Sequence, residues 1–90
     1  MTKQAELDVA TQELHRLTRA INDIGRELDT HRADMPLATR GRIARRARER
    51  WMNKYEKLKS RQRQLMTEGY QARQRVVQLI AEVKQLERSR

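Results

Sequence analysis

Apolar residues return every three or four positions along almost the whole chain. They run first as Leu7, Ala10, Leu14, Leu17, Ile21, Ile24 and Leu28. Beyond the single proline they resume as Ala44, Trp51, Tyr55, Leu58, Leu65, Ala72, Val76, Leu79, Val83 and Leu86. This is the spacing at which one stripe of a helix faces one partner, so the pattern predicts two long helices, each with a single apolar seam. The first helix is polar on its other faces, through Gln12, Glu13, Arg16, Arg19, Asp23, Arg26 and Glu27, and one partner helix is enough to bury its stripe. The expected fold is all-α: a long antiparallel helical hairpin of coiled-coil type with an extended, self-associating C-terminal helical segment, the 90 residues forming one domain.

Helix 1 is expected over residues 3–33, with Thr2 as its N-cap and Glu6 and Asp8 near its positive end. Asp34-Met35-Pro36 breaks the pattern, because proline disfavours helix in the residue before it and suits the first turn of the next, which Asp34 could cap. Helix 2 is expected from about residue 37, or from Gly41, to about residue 88, with Gly69 as a register device or hinge. A short link brings the second helix back antiparallel.

Folding the helices about a turn near residue 37 makes partner numbers sum to about 75. Leu28 would then face Ala47, Ile24 would face Trp51, Leu17 would meet Leu58, and Leu7 would reach Gly69. In that register everything from Tyr70 onward overhangs. The overhang carries Val76, Val77, Leu79, Ile80, Val83 and Leu86, an apolar face wide enough to call for a second copy of the chain.

Composition narrows the function more by exclusion than by indication. Apolar residues make up 37% of the chain and aromatics 3%, too little bulk for an enclosed catalytic pocket. Charged residues are also 37%, a level that would favour disorder were the apolar positions not in phase. Cysteine is absent, which removes disulfides and thiolate chemistry. No apolar run approaches the roughly 20 residues of a membrane span and the polar start is no signal peptide, so a cytoplasmic protein with no membrane partner is expected. His15 and His31 have no second and third donor at metal-ligand spacing, and Ser60 and Ser89 sit in plain helical sequence. The expectation is therefore no catalytic residue, no metal, no cofactor and no enzymatic activity.

The formal charge of +9 is unevenly placed. Residues 1–34 hold five Lys/Arg against seven Asp/Glu, whereas residues 35–90 hold sixteen against five. The densest stretch, at the start of helix 2, supplies the candidate binding residues Arg40, Arg42, Arg45, Arg46, Arg50, Lys54 and Lys57. Guanidinium groups pair bidentately with phosphates and stack on bases, and lysines track a phosphate backbone. The plainer reading of the same run is a solvated face. Trp51 and Tyr55 invite base stacking beside it, yet both fall on the seam, where core packing is the expected role. Tyr70 escapes the seam by one position.

In shape and charge the expected hairpin resembles the basic antiparallel coiled-coil arm of seryl-tRNA synthetases and the helical hairpins of small plasmid RNA-binding regulators. The resemblance is one of architecture, and fold alone does not carry function. Two functions follow from the residues. The first is a non-enzymatic protein that grips RNA or DNA through its arginine-rich tip. The alternative is a small adaptor or inhibitor that lays its basic helix and apolar C-terminal helix on a larger, acidic protein partner such as a nucleic-acid-handling enzyme.

Overall fold

The computed structural model describes residues 2–36 and 41–89, and two helices account for nearly all of them: α1, Lys3–Ala33, and α2, Arg42–Arg88. Thr2 is extended, and its Oγ1 accepts a hydrogen bond from the Ala5 amide at 3.1 Å, the N-cap the sequence implies. Glu6 in the first turn and His31 and Arg32 in the last place charge favourably along the helix dipole. Asp34 does not cap the second helix. Its amide turns back to the carbonyls of Thr30 and His31, each at 3.2 Å, and so closes α1.

α2 opens after Gly41, whose φ of 95° lies in the left-handed region that favours glycine. The earlier of the two expected starts, at residue 37, falls outside the described residues. From Arg42 the helix continues through Gly69 without interruption. The 47 residues of α2 span about 70 Å at ~1.5 Å per residue, which accounts for most of the molecule's 74 Å long axis. The other two extents, 17 and 15 Å, are those of two packed helices.

The helices are antiparallel, but the register differs from the one expected. Lys3 meets Glu82, the Ile21 side chain lies against Gly69, and Arg32 lies over Tyr55. The contacts sit about three to four helical turns further along α2 than a fold centred on residue 37 would put them. The facing pairs Leu28 with Ala47, Ile24 with Trp51 and Leu7 with Gly69 are therefore corrected. The core of the seam is Leu17, Ile24 and Leu65, flanked by Ala20, Ile21, Leu58 and Ala72. Leu28 and Leu79 are 1% exposed, each burial contributing about 1.5–3 kcal/mol.

This register reverses the position of the overhang. The C-terminal part of α2 is covered by the start of α1: Leu79 is buried and Val76 and Val83 are half-buried. The C-terminal face is therefore only partly covered: Val76, Leu79 and Val83 turn to α1, whereas Val77, Ile80 and Leu86 stay exposed. Residues 42–50 instead lie past the last turn of α1 over about 13 Å, with one face covered, since Ala44 is 5% exposed and Ala47 half-buried, and the opposite face open to solvent.

Candidate nucleic-acid interface

The residues that stop α1 against α2 set where the basic segment begins. Trp51 Nε1 donates to the His31 carbonyl at 2.7 Å, and His31 Nε2 lies 2.8 Å from the Trp51 carbonyl. A carbonyl only accepts, so His31 carries its proton on Nε2. Both are backbone carbonyls near a helix end or on a helix face, and each gains a side-chain donor from the opposite helix. The two rings stack at 4.6 Å with an interplanar angle of 11°, and Tyr55 extends the stack at 5.2 Å from Trp51. The Arg32 guanidinium completes it, 5.9 Å from the Tyr55 ring centroid. Hydrogen bonding from Arg32, followed by the charges of Arg32 and Lys59, holds the Tyr55 phenol below its ordinary 10.0 against the opposing effect of burial.

Trp51 and Tyr55 lie on the seam, as their spacing implies, but Trp51 meets His31 rather than Ile24. His31 is in fact 7% exposed and is the centre of the clamp. The available signal was chemical. His31 on one seam and Trp51 and Tyr55 on the other are polar-tipped aromatic groups, each with a donor to satisfy. Tyr55 lies 6.5 Å from His31 as well, so the three rings form a compact parallel cluster at the seam, and both Trp51 and Tyr55 are half-buried in it.

Beyond the clamp, Arg42, Arg45, Arg46 and Arg50 are exposed, as are Lys54 and Lys57 beside it. Arg40 lies outside the described residues. At 3.6 residues per turn Arg42, Arg46, Arg50, Lys54 and Lys57 share one side of α2, while Arg45 and Arg48 share the other. Glu49 and Glu56 lie between the two rows. An open groove of about 520 Å³ on the second side is lined by Arg45, Arg48, Glu49, Met52 and Asn53.

What distinguishes these cations is the absence of internal partners. α1 has five Lys/Arg against six Asp/Glu, and its charges neutralise one another at i, i+3: Arg16 with Glu13, Arg26 with Asp23, Arg32 with Asp29 and Lys3 with Glu6. The hydrogen bond from Arg16 lowers the Glu13 carboxyl, and Lys3, held chiefly by Glu82, is raised above its usual 10.5. α2 has fourteen Lys/Arg against five Asp/Glu, and among the described residues none of those fourteen cations forms an ion pair. The field of α2 is thus left open to an external anion.

The residues expected to self-associate are split by the structure. Val76, Leu79 and Val83 face α1, whereas Val77, Ile80 and Leu86 remain exposed. Among the described residues no group of three His, Cys, Asp or Glu is placed to hold a metal ion, and no helix is long and apolar enough to cross a membrane. No family model, curated protein or solved structure matches the chain.

Proposed function

We propose that the protein is a non-enzymatic, nucleic-acid-binding hairpin that grips a phosphate backbone through the first turns of α2, with Arg42, Arg45, Arg46, Arg50, Lys54 and Lys57 as the contacting groups. The observation that carries this reading is the contrast in charge pairing: four of the five cations of α1 pair with carboxylates one turn away, whereas the six named here are exposed and, among the described residues, unpaired. The segment's position past the end of α1 also supports it: its seam face is covered at Ala44, while Arg42, Arg45, Arg46 and Arg50 all face solvent, where phosphates can reach them. Contacts of this kind position a chain on nucleic acid without reading bases, so sequence preference is low.

Fluorescence anisotropy with labelled duplex DNA and duplex RNA across a salt series tests the proposal. On DNA the logarithm of affinity falls against the logarithm of salt with a slope of about −0.9 per phosphate neutralised, hence about −5 for the six cations named. Arg45→Glu with Arg46→Glu weakens binding and flattens the slope. Absence of binding to both duplexes at low salt, or an unchanged slope in the double variant, overturns it.

A further inference from the structure

A second ladder of side chains runs along α2, about a quarter-turn away from the seam and independent of the phosphate-gripping reading. From Lys59 it proceeds at alternating spacings of four and three through Arg63, Met66, Tyr70, Arg73, Val77 and Ile80 to Lys84. Met66, Tyr70, Val77 and Ile80 are 55, 65, 55 and 39% exposed. They cover about 21 Å of helix, four turns at the pitch a second helix would match. The α1 positions on that flank, taken from the same heptad arithmetic, are Thr11, Thr18 and Gly25. Both threonine hydroxyls are turned back onto the carbonyls of Leu7 and Leu14 at 2.8 Å, and nothing lies within 4 Å of where a Cβ on Gly25 would be. This flank is therefore low and uncluttered beside the ladder.

We infer that this flank is a docking site for an amphipathic helix with acidic edges, contributed by another protein. The apolar residues are interleaved with Lys59, Arg63, Arg73 and Lys84, and no carboxylate occupies a ladder position between Lys59 and Lys84. Glu68 and Glu82 point toward the other flank, where Glu82 meets Lys3. A helix whose apolar stripe is edged by Asp or Glu would cover the four apolar side chains and neutralise the four cations together. A second copy of the chain is a poor occupant. A two-fold contact between ladders would set Lys59 opposite Lys84 and offer none of the four cations a ladder carboxylate, and α1 has no matching stripe, Val9 being its one large apolar side chain that is exposed among the described residues.

A designed amphipathic peptide with leucines at alternating four and three spacing and glutamate edges is the probe, and its twin with lysine edges is the control. Calorimetry on the full chain is expected to show binding of the glutamate-edged peptide, weaker by about tenfold or more with lysine edges. Tyr70→Glu with Val77→Glu should reduce binding by about thirtyfold or more. Both positions are exposed, so helicity and unfolding midpoint report that the fold is intact; Arg45→Glu with Arg46→Glu should leave peptide binding in place. Equal binding of both peptides, or of neither, overturns the inference. So does a dimer in solution that Tyr70→Glu with Val77→Glu converts to monomer, because a second copy then holds the flank. A loss of duplex DNA binding in that variant as large as in the tip variant would assign the flank to nucleic acid and overturn it as well.

Discussion

The middle of the seam and its clamp end hold the same two helices together by different means. At Leu17, Ile24 and Leu65 the contact is aliphatic, and its stabilisation depends on how much apolar surface leaves water, whichever aliphatic residue supplies it. At His31 and Trp51 the contact consists of two directed hydrogen bonds and a parallel ring stack, which other neighbours cannot reproduce. The aliphatic layers hold the hairpin closed, and the clamp, with Gly69 under Ile21, selects the alignment. That division also decides function, because the alignment determines which end of α2 stands clear of α1.

The largest expected effect separates these two roles. Leu65→Ala should cost about 2–5 kcal/mol in urea unfolding and leave the alignment unchanged. Trp51→Leu keeps apolar bulk but removes the indole donor and the stack. It should cost less, about 1–3 kcal/mol, and yet loosen the alignment. The chain has no cysteine, so alignment can be read directly: cysteines replacing Lys3 and Glu82 should be joined by a short thiol crosslinker, and those replacing Leu7 and Gly69 should not. Leu65→Ala should retain that crosslinking pattern and Trp51→Leu should blur it. Efficient joining of the Leu7 and Gly69 positions in the unaltered background would refute the register.

A smaller effect distinguishes the two helix-interior glycines. A Cβ at Gly25 meets nothing within 4 Å, so Gly25→Ala should stabilise by about 0.5–1 kcal/mol, the helix-propensity gain. At Gly69 the added carbon would lie 3.0 Å from Ile21 Cδ1, and displacement of that side chain offsets the gain. Thermal unfolding of the two variants side by side checks this; equal stabilisation would mean that Gly69 plays no part in the alignment.

The smallest effect is at the edge of the clamp. Arg32 depresses the Tyr55 phenol, so its contribution through the ionised ring is present above the unfolded value of about 10.0 and is lost as pH falls through the folded value. Arg32→Gln should move the Tyr55 phenolate absorbance upward in pH, and the stability difference from the parent chain should grow with rising pH through this range. A titration curve identical in both proteins would remove Arg32 from the clamp.

The flank ladder shows a further limit of reading the chain alone. Val77 and Ile80 were legible as apolar excess, but Met66 and Tyr70 joined them only once the seam's direction was known in space. The tip cations were legible from composition. Their exposure followed from α1 stopping at the clamp, and their lack of internal partners from the local pairing that α1 keeps to itself.

By itself the sequence determined that there would be two long helices packed antiparallel along one seam, with the Thr2 cap and the chain reversal beyond Ala33, and with the positive charge concentrated on α2. These follow from local periodicity and from the chemistry of single residues. Only the tertiary structure decided the alignment, and with it the placing of the basic segment past the end of α1 and the burial of Leu79 under the start of α1. A heptad pattern maps onto itself when slid by seven residues and exchanges its two seam rows when slid by three or four. The apolar repeat therefore leaves several alignments nearly equal, and directed contacts between residues far apart in the chain, His31 with Trp51 and Ile21 with Gly69, separate them.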